Sequence, residues 1–221
     1  MPYRGLLPVL LFVSTFAFAD IAPTQSTLSG QVIKYQTQGG VLLVDSGIDW
    51  SNYTGVQLEI GTVEFREDWV QDQMQMKDNN IIREEDLERI KTGMSELLEK
   101  VLIRKLSDAD GYTLTDESGA DVLRFTPRIE KLDIYAPDRT RNYVGHVLTD
   151  AQGSMVLVMD ISDSVSGKLL ASAVQKQVDK GKGFLESTSS GTNKTAFRRM
   201  MEHWATWLLE LFDEVRAGTL H

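Results

Sequence analysis

The sequence predicts an α+β fold in which a mainly antiparallel sheet carries two amphipathic helices packed on one face. In residues 84–106, and again from Lys194 to Val215, apolar side chains recur every three or four positions, which is the spacing of one helix face. Several short apolar segments with the alternation of strands lie between these two stretches. Strands that are grouped between helices, rather than alternating with them, favour an antiparallel sheet.

The first predicted strands precede the first helix. Residues 41–44 form a short apolar run, and from Val56 to Ile60 apolar and polar residues alternate as in a half-buried strand. After Gly61 the apolar positions change parity by one residue. A strand accommodates such a change with a bulge, and glycine is suited to one.

The remaining strands lie between the two helices. Residues 123–134 alternate as a strand, and Pro127 predicts that this strand is an edge or is interrupted. Residues 155–159 are apolar at both parities, which is typical of a central strand that is covered on both faces. Asp163–Gly167 is predicted to turn a hairpin into residues 168–178, with its glycine at a positive φ.

The last helix has a continuous apolar stripe, and Trp204 lies in the middle of it. We therefore expect Trp204 to be buried where this helix packs on the sheet. The stripe consists of Phe197, Met200, Met201, Trp204, Leu208, Leu211, Phe212 and Val215.

Residues 1–19 have the pattern of a cleavable export signal. Arg4 precedes an apolar run from Leu6 to Phe18, and Ala17-Phe18-Ala19 places small residues where signal peptidase cleaves, before Asp20. A run of about a dozen apolar residues is too short to span a bilayer. The pattern predicts a periplasmic protein.

The rest of the chain is predicted to be a poorly ordered lead-in, residues 20–40, followed by a single α+β domain, residues 41–217. The net charge of −9 disfavours nucleic acid as a partner. The sequence contains no cysteine, which excludes disulfides, thiolate zinc sites and cysteine nucleophiles. It also excludes a lipobox cysteine, so no lipid anchor is expected.

Several blocks of the sequence resemble an uncharacterised bacterial family. The blocks are Val44–Tyr53, Gly153–Met155, Asp163–Ala171, and Ala196-Phe197 with Trp204. The family is filed only as a domain of unknown function, and its members are exported cell-envelope proteins, often lipoproteins. The resemblance extends over residues 41–215. It implies the fold and the cell-envelope location, and it carries no activity or site residues with it.

No combination of residues predicts catalysis. His146, His203 and His221 are isolated from one another in the sequence, without the HExxH spacing of a zinc site. No serine lies in a GxSxG turn. The sequence therefore predicts a non-enzymatic protein with no catalytic residue, no metal ligands and no cofactor.

One loop has part of the spacing of a calcium site. Asp108, Asp110, Gly111 and Glu117 match that loop from its third position onward. The first ligand position is then Leu106, which has no side-chain oxygen, and a strand follows where the calcium loop requires a helix. The pattern favours a helix-to-strand turn over a calcium site.

A basic patch lies at the beginning of the last helix. It consists of Lys182, Lys194, Arg198 and Arg199. Positive charge in a first helical turn is unfavourable to the helix dipole, and a bound anion would offset that cost. The patch is either a solvated, mobile connection or an anion-binding site.

Two functions are weighed first on these observations, and an enzyme is the third interpretation. The favoured one is a protein-interaction module whose partner is another envelope protein. The alternative is a periplasmic protein that binds a small ligand or anion through the basic patch. A contiguous exposed apolar patch would favour a protein partner, whereas a concave pocket with convergent polar groups would favour a ligand.

Overall fold

A computed structural model describes residues 32–37, 40–75, 82–135, 148–149, 151–181, 186–187 and 190–219. The helices are α1 (Trp69–Gln75), α2 (Glu84–Asp108) and α3 (Ser190–Ala217), with a short 3-10 turn at Trp50–Asn52. The strands are β1 (Val32–Thr37), β2 (Gly40–Asp45), β3 (Gly55–Leu58), β4 (Val63–Phe65), β5 (Thr113–Leu114), β6 (Val122–Ile134), β7 (Leu148–Thr149), β8 (Gly153–Asp163), β9 (Leu169–Val178) and β10 (Glu186–Ser187). Among the described helices, none has a stretch both long and apolar enough to cross a membrane.

The central sheet has the strand order β1-β2-β9-β8-β6-β3-β5, and β4 also pairs with β6. Neighbours from β1 to β6 in this order are antiparallel, whereas β3 and β4 run parallel to β6, and β5 runs parallel to β3. β7 and β10 form a separate antiparallel pair. The predicted α+β class with a mainly antiparallel sheet is confirmed.

The side chains of β8 show which face of the sheet the helices cover. Leu157 belongs to the same buried cluster as Leu98 of α2 and Trp204 of α3. Val156 and Val158, which point the other way, belong to a separate cluster. Both long helices therefore pack on one face, as predicted. The strand also lies centrally, between β6 and β9, as its doubly apolar pattern indicates.

The predicted strand that crosses Gly61 is divided into β3 and β4. Both pair with β6, and the register slips by one residue between them. This slip is the parity change that the apolar pattern shows after Gly61. The chain thus accommodates the extra residue by leaving residues 59–62 outside the strands.

The prediction that Pro127 marks an edge or an interruption is wrong. It lies inside β6, which has β8 on one side and β3 and β4 on the other. Its carbonyl accepts a hydrogen bond of 2.8 Å from the backbone N–H of Gly61. In a strand, the N–H and the carbonyl of one residue point to the same neighbouring strand. The N–H that Pro127 lacks would therefore point towards the break between β3 and β4, where the ladder of hydrogen bonds is already interrupted.

The elements that were not predicted include β1, helix α1 and the short strands β7 and β10. Residues 32–37, assigned to the poorly ordered lead-in, form β1, which pairs along its length with β2. Helix α1 is held by Trp69, whose Nε1 donates to the carbonyl of Ile134 at 3.1 Å and whose ring stacks on Phe65. Residues 1–31, with the predicted export signal, lie outside the described residues.

Two predictions about single residues are confirmed. Gly167 closes the turn between β8 and β9 at φ +69°, and its N–H donates to the carbonyl of Asp163 at 2.9 Å. Trp204 is fully buried in the main core. The turn and the helix stripe therefore lie where the local patterns place them.

Candidate functional site

Helices α2 and α3 lie side by side, and two polar contacts join them. Arg104 donates from Nη2 to Oε1 of Glu202 at 2.7 Å, and Lys105 donates from Nζ to Oγ1 of Thr206 at 2.8 Å. Because the second contact follows the first along both helices, the helices run in the same direction. On the N-terminal side of these contacts, the helices enclose a cavity.

This cavity, the α2–α3 groove, has a volume of about 310 Å³. That volume is at the lower end of the roughly 300–1,000 Å³ of small-molecule sites. Helix α2 contributes one apolar stripe, α3 contributes an aromatic ring, and β6 contributes its last residue. The apolar floor is made by Ile90, Met94, Leu97, Val101, Ile134 and Phe197.

The rim of the groove is basic, although the chain as a whole has a net charge of −9. The cations come from both helices, so the two walls of the groove carry positive charge. The charged residues of the rim are Arg89, Lys100, Arg104, Lys194 and Arg198, together with Glu96 and Glu202. The rim therefore has an excess of positive charge over an apolar floor.

Two of these cations are neutralised by ion pairs. Arg104 pairs with Glu202, as described above. Arg89 donates to Oδ1 of Asp86 at 2.6 Å, and this hydrogen bond holds the pKa of the Asp86 carboxyl below its usual value. The charges of Arg89 and Arg104 are thus largely neutralised by carboxylates of the protein itself.

The other three cations of the rim lack such partners. No carboxylate of the described residues lies within 4.0 Å of the charged groups of Lys100, Lys194 or Arg198. Lys194 and Arg198 are one turn apart on α3, and Lys100 lies on α2. Glu96, one turn before Lys100, reduces the positive charge of the rim without cancelling it.

The structure separates the members of the predicted basic patch. Lys194 and Arg198 line the groove, whereas Arg199 donates to Oδ1 of Asp179 at 3.1 Å, just after the end of β9. The Asp179 side chain is only 8% exposed, so this contact attaches α3 to the sheet. Lys182 lies outside the described residues.

The helix dipole does not favour an anion beside these cations, contrary to the expectation from the sequence. Helix α3 begins at Ser190, earlier than the predicted Lys194. The cations therefore lie beyond the first turn, where the effect of the dipole has largely decayed. The position of Lys194 and Arg198 on the groove, rather than their position in the helix, is what makes them candidates.

Sequence reasoning missed the cations that α2 contributes. On an amphipathic helix, charged residues beside the apolar stripe are ordinarily solvated. This pattern includes Arg89, Lys100 and Arg104. One signal was available: Gly93 lies beside that stripe, at helical spacing from Ile90 and Leu97, and it is exposed. A glycine at the border of an apolar stripe leaves open space beside the helix.

The calcium-like loop is a helix-to-strand turn, as its pattern favours. Helix α2 ends at Asp108, Gly111 turns the chain at φ +84°, and β5 begins at Thr113. Arg216 donates from Nη1 to the carbonyl of Gly111 at 3.3 Å. Within the described ranges, no three histidine, aspartate or glutamate side chains are grouped to hold a metal ion.

The histidines supply no further site among the described residues. His203 is exposed on α3. His146 and His221 lie outside the part of the chain that the structure describes.

Three solved structures of bacterial proteins that match this chain have low identity and low TM-scores. A PelC dodecamer from Paraburkholderia phytofirmans has 9% identity and a TM-score of 0.35, covering 79% of this chain and 95% of that chain. Protein XCC0632 from Xanthomonas campestris has 11% identity and a TM-score of 0.39, covering 71% and 81%. A minor lipoprotein from Acinetobacter baumannii has 14% identity and a TM-score of 0.27, covering 76% and 96%.

Comparison with curated proteins found no match. A family model described as "Protein of unknown function (DUF3313)" matches residues 28–208. The match covers most of the chain, and it includes every residue that lines the α2–α3 groove. The resemblance to a domain of unknown function is thereby confirmed. The chain belongs to the DUF3313 family of proteins of unknown function.

Proposed function

We propose that this protein binds a small anionic ligand in the α2–α3 groove, and that it acts by binding rather than by catalysis. One observation carries the proposal. Lys100, Lys194 and Arg198 border an apolar cavity, and none of them has a carboxylate partner among the described residues.

The physical reason is electrostatic. A carboxylate or phosphate between the two walls is attracted by Lys194 and Arg198 on α3 and by Lys100 on α2. The apolar floor lowers the local dielectric constant, so each attraction is stronger than it is in bulk water. Hydrogen bonds between such cations and an anion are roughly twice as strong as neutral ones.

The groove favours a ligand over a protein partner as its occupant. Its small concave volume and converging charges are features of ligand sites. Among the described residues, the large apolar side chains that are exposed are Met74, Ile103, Tyr135, Val165 and Val178, which come from five different segments of the chain. An envelope protein as partner stays a prediction from the sequence.

We place this binding in the periplasm. The support is the sequence of residues 1–19, in which Arg4, the apolar run and the Ala17-Phe18-Ala19 triplet have the pattern of an export signal. N-terminal sequencing of the protein from a periplasmic extract should give Asp20 as the first residue. A chain that retains Met1 would contradict this location.

The binding proposal is tested by titration calorimetry with a panel of anions. The panel contains inorganic phosphate, phenyl phosphate, decyl phosphate, acetate, benzoate and decanoate, with decanol as the uncharged probe. The wild type is expected to bind at least one anion that carries an apolar group. Binding should weaken as salt is added, because partly exposed charges are screened.

The test variant is Lys194→Gln with Arg198→Gln. It should lose about tenfold or more in affinity, since one charged hydrogen bond corresponds to roughly that factor. The matched control is Lys176→Gln with Lys180→Gln, which removes the same charge from exposed positions outside the groove. Equal affinities for both variants, or no binding of any anion by the wild type, would contradict the proposal.

A further inference from the structure

Gly93 lies in the middle of α2, a helix of 25 residues, and lines the α2–α3 groove. Glycine inside a helix destabilises it relative to alanine. The surroundings do not require glycine for steric reasons, because a Cβ added at Gly93 would meet no atom within 4 Å beyond its chain neighbours and the adjacent helix backbone. The effect of the missing side chain is therefore on the space inside the groove.

The neighbours of Gly93 show what kind of space this is. Gly93 is three residues after Ile90 and four residues before Leu97, so all three lie on the same face of α2. The other two positions of this stripe carry apolar side chains that line the groove. An apolar side chain at position 93 would continue the stripe and occupy part of the cavity.

We infer that the ligand is an amphiphile with a single apolar chain, and that Gly93 sets the length of chain that the groove accepts. This inference rests on the function proposed above. The anionic head group binds to Lys194, Arg198 and Lys100, and the apolar chain lies along the floor and over Gly93. The small volume of the groove favours one chain over two.

Carboxylate and phosphate head groups are both compatible with these cations. The lysine ammonium is a point charge that binds either anion. The guanidinium of Arg198 matches the paired oxygens of a carboxylate or a phosphate. A fatty acid and a singly acylated phospholipid fragment share this chemistry, which is an anion at one end of an alkyl chain. The experiment therefore uses both head groups.

The test compares chain-length series for three proteins. Octanoate, decanoate, dodecanoate and tetradecanoate, and the four matching alkyl phosphates, are titrated below their micelle concentrations into wild type, Gly93→Leu and Thr92→Leu. Thr92 is exposed on α2 and does not line the groove, so its variant controls for an added leucine on the same helix.

For the wild type, affinity should rise about fourfold for each methylene that enters the groove. In Gly93→Leu this rise should stop at a shorter chain, and dodecanoate should lose about tenfold or more in affinity. Thr92→Leu should follow the wild type. The series with the higher affinities, carboxylates or phosphates, identifies the head group.

A second variant, Gly93→Ala, keeps the test valid if Gly93→Leu does not fold. It should raise the melting temperature of a protein of this length by about 2–4 °C, because alanine has the higher helix propensity. It should weaken the binding of the longest alkyl chains only.

The outcomes separate the two proposals. If the wild type binds no anion at all, the proposed function fails, and this inference fails with it. If it binds anions without dependence on chain length, or if Gly93→Leu keeps the wild-type profile, the inference alone is overturned.

Discussion

Nζ of Lys168 lies 2.9 Å from Oδ2 of Asp45, whose side chain is only 3% exposed. Asp45 also accepts a hydrogen bond of 3.0 Å from the backbone N–H of Gly47. The Lys168 hydrogen bond, followed by that of Gly47, lowers the pKa of the Asp45 carboxyl below its usual value. The contact ties the beginning of β9 to the end of β2.

This ion pair should make the protein sensitive to acid. The Asp45 carboxyl has an ordinary pKa of about 4 when unfolded and a lower pKa when folded, so its contribution is present above about pH 4. The contribution is lost as the pH falls through the folded pKa. Asp45→Asn should therefore be less stable than the wild type at neutral pH, and the difference should shrink below about pH 4.

Urea unfolding at a series of pH values checks this expectation. Glu117→Gln, which neutralises an exposed carboxylate, is the control and should show no such convergence. A difference between Asp45→Asn and wild type that stays constant down to about pH 2 would contradict the role of the carboxylate charge.

Arg198 and Arg199 should differ in their effects on folding, although they are adjacent. Arg199→Gln leaves Asp179 without its cation and should lower the free energy of unfolding by about 1 kcal/mol, a value that allows for the solvent around Arg199. Arg198→Gln should change it by less than about 0.5 kcal/mol, as at other exposed sites. Equal values in urea denaturation would mean that the Asp179 contact does not attach α3 to the sheet.

Trp204→Ala should lower the free energy of unfolding by about 3–5 kcal/mol, as expected for a large aromatic side chain removed from a core. His203→Ala changes the neighbouring exposed residue and should cost less than about 0.5 kcal/mol. Chemical denaturation of both variants measures these differences. If Trp204→Ala lost as little unfolding free energy as His203→Ala, the assignment of the buried face of α3 would be wrong.

Gly153→Ala should be more damaging than Gly167→Ala. At Gly153 an added Cβ would lie 2.1 Å from the carbonyl oxygen of Asp133, so the β6–β8 pairing must shift, at a cost of about 3 kcal/mol. At Gly167 the space is open, and only the positive φ opposes a side chain, at a cost of about 1 kcal/mol. Thermal unfolding in the same buffer ranks the two variants, and the reverse order would refute the steric argument.

Much of the fold could be predicted because it depends on local patterns. The helical stripe over residues 84–106 lies within α2, which ends at Asp108, and the doubly apolar run at residues 155–159 lies in the central strand β8. Helix α1 escaped prediction because seven residues are too few for a periodic pattern, and its stability comes from contacts such as Trp69 with Ile134. β1 is likewise defined by its pairing with β2.

The candidate site could be predicted only in part. The sequence by itself determined the α+β class, the apolar faces of the two helices and the hairpin glycine. It also identified Lys194 and Arg198 as candidate anion-binding residues. Only the tertiary structure decided that these two residues share a groove with Lys100, whereas Arg199 pairs with Asp179. The reason is that periodicity describes which face of one helix is apolar, while the cavity beside that face depends on how two distant helices pack on the sheet.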